Sequence, residues 1–293
     1  MTDAKLAWQS KLVLLAVLPF VGTALLLESY SFLNQFPRAV TWTLGLSAVL
    51  GLVTWKVRAA TPAAAATGTI ITGTLMFSTT TFPYQPWHSA LIPVLSVSLL
   101  AFAATRLGRR KKERLGTAEA RQGRAASQVA ANLGVAALVS LAPVQIWLAD
   151  SGFARGTLAV FLFPSLAALA EAAADTVSSE IGQVLGGRPR MITSFKVVEP
   201  GRDGAVSLPG TLAGVIAAAI VSAAGAWALR GDWILFTVSC VSGVFGLLFD
   251  SLLGATLEEW GWLNNDAVNF LSTASAAVFA LLLLAFTPHP GVG

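Results

Sequence analysis

The chain alternates long apolar runs with short polar segments. Nine runs can be drawn, each near the roughly 20 residues that a helix needs to cross a bilayer core: 11–27, 39–56, 63–80, 88–105, 125–149, 155–181, 208–228, 232–254 and 267–287. They are rich in Ala, Leu, Val and Gly and lack the alternation of polar and apolar residues typical of transmembrane barrels. The pattern predicts one all-α integral membrane domain over 1–293, a polytopic helix bundle with about nine spans.

Two of the runs are less typical. The third (TGTIITGTLMFSTTT) is rich in Thr and only moderately hydrophobic, so we expect either a full span or a short, partly re-entrant helix. The first apolar run, 12–27, has the length of a signal peptide, but no small-residue cleavage pattern follows it. We therefore expect a retained first helix.

Composition supports the same class of protein. Hydrophobic residues make up 55% of the chain and charged residues 12%, and the mean hydropathy is +0.70. A soluble domain carries about 25% charged residues, so this class is excluded. Cys240 is the single cysteine and lies in an apolar run, which excludes an intrachain disulfide and favours an inert, buried thiol.

Lysine and arginine predict the orientation of the bundle, because cytoplasmic loops collect them. With nine spans and a cytoplasmic N-terminus, 16 of the 19 lie inside, leaving Arg38, Arg155 and Arg230 outside. This distribution predicts a protein of the inner, cytoplasmic membrane with its C-terminus outside. It places three polar loops on the cytoplasmic face: 106–124, 182–207 and 255–266.

Three acidic residues interrupt the sixth run. Glu171 and Asp175 are four residues apart, so they share one face of a helix. Charge at membrane depth is costly unless water, a cation or a partner meets it. Magnesium suits such a pair, because it takes one or two carboxylates and completes its shell with water and phosphate oxygens. Glu180, nearer the end of the helix, is either a further metal ligand or an interfacial carboxylate that meets water or an arginine.

Further polar residues stand at the same end of later runs. The sixth and eighth runs would have the same direction, so Asp250 in the eighth can reach the depth of Asp175 and share its metal. Alternatively, Asp250 caps a backbone break beside Gly254. Asn265, Asp266 and Asn269 open the ninth run, where they either cap its helix or contribute ligands.

The loop 106–124 (RLGRRKKERLGTAEARQGR) is strongly basic. An anchor at the membrane surface explains its first part. Its second part, with Arg121 and Arg124, leads into a run that carries Gln128 and Asn132 four residues apart. An anchor does not need that pattern, whereas a site for a polyanion does, because arginine offers bidentate contacts to phosphate.

Small and flexible residues surround Lys196 in the loop 182–207 and at the start of the seventh run. The candidates for phosphate binding among them are Gly186, Gly187, Gly204, Ser207, Gly210 and Thr211. A helix that begins there would offer free N–H groups and a positive dipole end to an anion. Glycines in membrane helices also serve close packing, so each of them alone is weak support.

Several nucleotide and catalytic motifs are absent from the chain. There is no GxxxxGK[ST] loop, no Cys and His set for zinc, and no Ser, His and Asp arrangement. The two histidines, His88 and His289, are predicted on the outer face. Soluble nucleotide-binding folds are therefore excluded, and no nucleic-acid partner is expected.

Several segments, in combination, resemble the transmembrane protein 19 family (DUF92-type), whose members include a chloroplast phytyl-phosphate kinase. They are RLGRRKKERLGTAEARQGRAASQVAANLGVAAL, AAADTVSSEIG, PGRDGAVSLPGTLAG, FDSLLGATLEE and WLNNDAVN. The resemblance covers 60–287, with two extra N-terminal spans in 1–58. It implies an enzyme that phosphorylates an isoprenoid monophosphate, with CTP as donor. More distantly, the order of Asp175, Gly186, Lys196 and Gly210 is similar to that in CTP-dependent phytol and dolichol kinases.

We therefore expect a Mg²⁺- and CTP-dependent kinase of isoprenoid (phytyl or polyprenyl) phosphates. Asp175, Asp250 and Lys196 would be catalytic, and Glu171, Glu180 and the two aspartates would hold the metal. The partners would be the lipid phosphate, the nucleoside triphosphate and membrane lipid, and a homo-oligomer is compatible with the sequence. Two alternatives are a cytidylyltransferase acting on a lipid phosphate and a membrane transporter or flippase.

Overall fold

The structure is a computed structural model that describes residues 6–151 and 158–286. It is a bundle of α-helices, which confirms the predicted fold class. Within the described residues the helices are α1 (Trp8–Leu33), α2 (Pro37–Lys56), α3 (Pro62–Ser78), α4 (Leu91–Arg106), α5 (Arg109–Leu115), α6 (Ala126–Val139), α7 (Ala142–Asp150), α8 (Leu162–Leu185), α9 (Leu208–Ala228), α10 (Trp233–Leu253) and α11 (Asn265–Phe286). A 3₁₀ turn, Leu158–Phe161, precedes α8, and a π-helical segment, Gly254–Glu258, continues α10.

Each predicted apolar run contains a helix, but the structure does not confirm the predicted number of nine membrane spans. Five helices are long and apolar enough to cross a bilayer: α1, α2, α9, α10 with its π-helical extension, and α11. Two bent pairs, α4 with α5 (67°) and α6 with α7 (52°), raise the number to seven. The third run forms one continuous helix of 17 residues, α3, and α8 carries three carboxylates. The figure of nine stays a prediction.

Local sequence explains where several helices begin. Thr61 caps α3 by accepting a hydrogen bond from Ala64 N, and Pro62 follows at the first helical position. Ser207 caps α9 in the same way, through Gly210 N. Asp232 accepts from the N–H groups of both Ile234 and Leu235 and so caps α10. These side chains satisfy N–H groups that a helix cannot pair internally.

Helix α8 lies at the centre of the bundle. It packs against α4, α6, α9, α10 and α11. Six of its fourteen buried residues are alanines, which let the neighbouring helices approach closely. The carboxylates of α8 are therefore held in the middle of the protein rather than toward lipid.

The polar loops gather at one end of the bundle, here called the basic end. Loop 182–207 contains a two-residue antiparallel ladder, β1 (Arg190–Met191) with β2 (Ala205–Val206). This loop contacts the other two, through the Thr117 hydroxyl, which donates to Gln183 Oε1 at 2.7 Å, and through an Arg202–Glu259 ion pair.

The opposite end carries His88, whose Nδ1 lies 3.1 Å from the Ala228 carbonyl oxygen, and Arg230, which donates to Gln85. This places His88 at the end predicted for it. Lys5, Arg155 and His289, which the topology argument also used, lie outside the described residues.

Candidate functional site

Asp175 and Asp250 meet between α8 and α10. Their carboxyl groups lie within interacting distance of each other, and the Ser272 hydroxyl of α11 lies near both Asp250 and Glu171. Glycines on α10 allow this approach, because a Cβ on Gly246 would lie 2.5 Å from Glu171 Cγ. The structure thus brings three candidate acids, Glu171, Asp175 and Asp250, to one place.

Some of the carboxylate oxygens in this cluster of acids lack hydrogen-bond partners. Two of its buried oxygens, Glu171 Oε1 and Asp250 Oδ1, have no hydrogen-bond partner among the described residues. Buried acceptors without partners are costly, so a proton or a cation is expected beside them. No group of three or more Asp, Glu, His or Cys side chains in the described part of the chain has the geometry to hold a metal by itself. Magnesium bound here would need water or phosphate oxygens as additional ligands.

A cavity of about 210 Å³, here called the acidic cavity, opens from Asp175 and Asp250 toward the basic end. Gly182 and Gln183 of α8 line it from one side, and loop residues 200–207 line it from another. Ser251 and Glu258, with Asn265 at the start of α11, complete the wall. The cavity is therefore shared by the three segments that the sequence analysis singled out around Asp175, Gly204 and Asp250.

The electrostatics of the acidic cavity are unfavourable for a bare anion. Arg202 is the one basic residue among the described residues that line it, and it forms an ion pair with Glu259. Burial raises the pKa of Asp203 on the wall, the Glu259 carboxylate raises it further, and Arg202 opposes both. A polyphosphate in this cavity would need divalent cations to offset the carboxylates.

The glycines near the cavity serve mainly the contact between α8 and α9. A Cβ on Gly210 would lie 2.7 Å from the Ser178 carbonyl oxygen and 3.1 Å from Gly182 Cα. A Cβ on Gly186 would lie 2.6 Å from the hydroxyl oxygen of Ser207, the residue that caps α9. Gly204, with φ +71°, packs against Ala255.

Only part of the predicted phosphate-binding set reaches the acidic cavity. Gly204 and Ser207 line it, whereas Gly186, Gly187, Gly210 and Thr211 do not. The N-terminus of α9 is also partly satisfied, because the Ser207 hydroxyl accepts from Gly210 N and the Ser207 carbonyl from Thr211 N.

Two basic candidates lie elsewhere. Lys196 is exposed in the turn after β1, and Arg121 is exposed in the loop before α6. Neither lines the acidic cavity or the second cavity described below. In this structure these two side chains could contact a ligand only at the protein surface, outside both cavities.

Glu180 and the acids and amides of α11 have partners of their own. Glu180 forms a 2.5 Å ion pair with buried Lys112 and accepts from Thr105 Oγ1 at 2.9 Å. Asp266 accepts from the Ser10 hydroxyl at 2.5 Å, which ties α11 to α1. Asn269 donates to Asn132 Oδ1 at 3.5 Å.

A second cavity, of about 120 Å³, lies between α2, α3, α4, α6 and α8 and is here called the arginine-mouthed cavity. Its body is mainly apolar, with a few polar side chains such as Thr72 and Asn132, and its mouth at the basic end carries Arg58, Arg106, Arg109 and Arg124. Sequence reasoning had named Arg124 for an anion site but assigned no ligand role to Arg58 or Arg106. The available signal was weak, since each follows an apolar run as an ordinary membrane anchor does.

Arg124 lies between the two cavities. It lines the arginine-mouthed cavity, its guanidinium donates to Thr176 Oγ1 at 3.4 Å, and it lies within electrostatic reach of Asp175. Asn132 lines the same cavity, whereas Gln128 caps α6 by accepting from Ala125 N at 2.7 Å. Of the predicted polyanion set, Arg124 and Asn132 are thus placed in a cavity.

Comparison with known proteins gives relatives among membrane proteins. An uncharacterized membrane protein of Methanocaldococcus jannaschii is 41% identical over 40% of this chain and 49% of its own length, so the chain spans about half of that relative. An uncharacterized membrane protein of Synechocystis is 34% identical over 67% of this chain and 73% of its own length. The chloroplastic protein VTE6 of Arabidopsis thaliana is 28% identical over 70% of this chain and 62% of its own length.

No solved structure matches the chain. The family model described as "Integral membrane protein DUF92" matches residues 45–277, which begins inside α2 and ends inside α11. This match covers the central helix, both cavities and all of the acids discussed above. The chain therefore belongs to the DUF92 family of integral membrane proteins.

Proposed function

We propose that this protein is a membrane phosphotransferase that moves the γ-phosphate of CTP to an isoprenoid lipid monophosphate. The observation that carries the proposal is the meeting of Asp175 and Asp250 at the base of a cavity that opens at the basic end. The relatedness to VTE6 and the family resemblance support a lipid phosphate as the acceptor. A membrane-embedded site is suited to such a lipid.

Phosphoryl transfer requires little from the protein beyond positioning of the reactants and stabilisation of charge. A phosphate oxygen of the lipid would attack the γ-phosphorus, the bond from that phosphorus to the β,γ-bridging oxygen would break, and CDP would leave. The nucleophile is already an anion, so no general base is required. This fits a site with no histidine among the described residues that line either cavity.

Magnesium is the cation that would make the acidic cavity fit for a nucleotide. Asp175 and Asp250 would hold it, with Glu171 behind them, and the nucleotide phosphates and water would supply the remaining ligands. The unpartnered oxygens of Glu171 and Asp250 fit this role. When bound, the ion would neutralise charge on the transferred phosphate.

The test is transfer of a γ-³²P label from CTP to geranylgeranyl or phytyl phosphate by the purified protein with Mg²⁺. We expect label in the lipid diphosphate. Asp175→Asn and Asp250→Asn should each lower the rate by about 100-fold or more, because each removes a charge that positions the metal. Asp150→Asn, at an exposed position at the end of α7, is the matched control and should retain the rate.

The same reaction separates the proposal from its alternatives. Release of the γ-label in pyrophosphate, with CMP transferred to the lipid, would establish a cytidylyltransferase. A protein that elutes as a folded species yet neither binds nor turns over nucleotide would overturn the proposal and favour a transporter.

A further inference from the structure

The arginine-mouthed cavity combines two surfaces that call for different ligand groups. Its body is formed by apolar or small residues, among them Leu50, Gly68, Val94, Val97, Val129 and Leu133. Its mouth holds four arginines. An apolar cavity with a positively charged mouth suits a molecule with one apolar tail and one anionic head group.

The positive charge at this mouth is largely uncompensated. The Arg58 guanidinium has no hydrogen bond or ion pair among the described residues, and the Arg106 guanidinium donates to the Val57 carbonyl oxygen at 2.7 Å. Arg109 alone pairs with a carboxylate, that of Glu113. Among the described residues that line the cavity, Glu119 is the one acid. Its carboxylate accepts from Ala120 N and forms no ion pair with these arginines, and only its backbone carbonyl oxygen accepts from Arg109, at 3.3 Å. An anion at the mouth would therefore meet three guanidinium groups, those of Arg58, Arg106 and Arg124, that form no ion pair with an acid among the described residues.

The backbone at the mouth is held rigidly. Arg124 N donates to the Ala59 carbonyl oxygen and Thr61 N donates to the Arg124 carbonyl oxygen, both at 3.0 Å. Gly123 has φ +86°, and a Cβ there would lie 2.4 Å from the Ala59 carbonyl carbon, so only glycine fits. These contacts fix Arg58 and Arg124 beside each other at the rim.

Arg58 adds an independent sign of a ligand site. It ends α2 in the left-handed conformation, with φ +57°, at a position where helices ordinarily use glycine. A side chain held at such an angle is unfavourable, and residues of this kind cluster at ligand sites. Here the strained residue lines the cavity and carries an unpaired charge.

We propose that the arginine-mouthed cavity is the acceptor site and binds a single-chain lipid phosphate. The proximal part of one apolar chain lies between α3, α4 and α6, and the phosphate is held by Arg58 and Arg124. The cavity volume of about 120 Å³ suits part of one apolar chain, so we expect a diacyl phospholipid to be excluded. This inference rests on the proposed function in one respect, since Arg124 also adjoins Asp175 and would bring the acceptor phosphate to the nucleotide.

The test is the equilibrium binding of geranylgeranyl monophosphate to the detergent-solubilised protein in the absence of nucleotide. Microscale thermophoresis measures this binding. We expect saturable binding of this lipid, and no binding of geranylgeraniol, inorganic phosphate or dioleoyl phosphatidic acid at the same concentrations. Equal binding of phosphatidic acid or of inorganic phosphate would overturn the assignment.

Two variants locate the site. Arg58→Gly removes the charge but places the residue preferred in that conformation, so we expect an unchanged or higher melting temperature together with about tenfold weaker binding. Arg114→Gln, which removes an exposed charge at the same end, is its control. Gly68→Leu fills the cavity, since a Cβ there points toward Val129, and should abolish binding. Its control is Gly45→Leu, where a Cβ meets nothing within 4 Å.

Unchanged affinity in both Arg58→Gly and Gly68→Leu would overturn the inference. The measurement needs no turnover, so its failure is distinct from failure of the proposed kinase. Lipid phosphate that binds in this cavity without ever being phosphorylated would overturn the kinase and retain the site. Phosphorylation of the lipid that persists in Gly68→Leu would retain the kinase and overturn the assignment of this cavity as the acceptor site.

Discussion

At the scale of single residues, Lys112 shows how a charge is accommodated inside this bundle. Its side chain is 1% exposed and forms a 2.5 Å ion pair with Glu180. It also donates to the carbonyl oxygens of Ala104 and Thr105, at 2.7 and 3.3 Å, near the end of α4. Lys112 therefore joins α4, α5 and α8 at the basic end and occupies Glu180 in a structural contact.

We expect Lys112→Met to destabilise the protein strongly. Removing one partner of a buried ion pair leaves the other charge uncompensated, at a cost of about 3–5 kcal/mol. The measurement is thermal unfolding in detergent. Adding Glu180→Gln to Lys112→Met should recover part of the loss, because the orphaned charge is then gone.

The exposed pair Arg109–Glu113 provides the control for this prediction. Glu113→Gln should cost under about 1 kcal/mol, because exposed ion pairs contribute little. If Lys112→Met is no more harmful than Glu113→Gln, the pair with Glu180 has no structural role, and Glu180 is again available as a metal ligand.

At the scale of elements, the contact between α8 and α9 determines the shape of the acidic cavity. The two helices meet at Gly182, Gly210 and Gly214, where no side chain separates their backbones. Ser207, at the start of α9, lines the cavity on one side of this contact and Asp175 lines it on the other. Any change that separates the two helices should widen the acidic cavity, where we propose that the nucleotide binds.

Gly210→Ala tests this arrangement. The new methyl group would lie 2.7 Å from the Ser178 carbonyl oxygen, which cannot move without shifting α8. Overpacking of this kind costs about 1–3 kcal/mol, so we expect a lower melting temperature and a higher KM for CTP.

Gly45→Ala on α2 is the matched control for Gly210→Ala. A Cβ at Gly45 meets nothing within 4 Å, and alanine favours the helix, so stability should be retained or rise. Equal behaviour of the two variants would show that the glycine contact between α8 and α9 is dispensable.

Element positions were largely predictable because a membrane helix is specified locally, by an apolar run of sufficient length. The break between α6 and α7 was not, since the apolar run 125–149 continues across it, and neither was α5, which forms after Gly108 in a segment expected to be a basic loop. The approach of Asp175 to Asp250 followed from the direction of their helices. The mouth formed by Arg58 and Arg124 did not, because it depends on backbone pairing between segments more than 60 residues apart.

At the scale of the whole molecule, polarity is divided between the two ends of the bundle. Both cavities open at the basic end, where most of the lysines and arginines lie. The opposite end has aromatic contacts, such as those of Phe32 with Phe36 and Phe82. This asymmetry supports the proposal that the basic end faces the cytoplasm.

Single-cysteine labelling tests this orientation. In a Cys240→Ala background, Arg230→Cys should react with a membrane-impermeant maleimide in intact cells. Arg114→Cys should react only after permeabilisation. The reverse pattern would place the basic end outside and contradict the proposed use of intracellular CTP.

The link between the first and last helices bears on how the protein is made. Ser10 bonds to Asp266 and to Asn264, and α1 also packs on α6. Helix α1 is synthesised long before α11, so it can pack on α3 and α6 first, whereas the Ser10 bonds to Asp266 and Asn264 form only after the α11 segment has been made. The polar contacts that join α1 to α11 are therefore among the last of the described contacts to form as the helices are inserted.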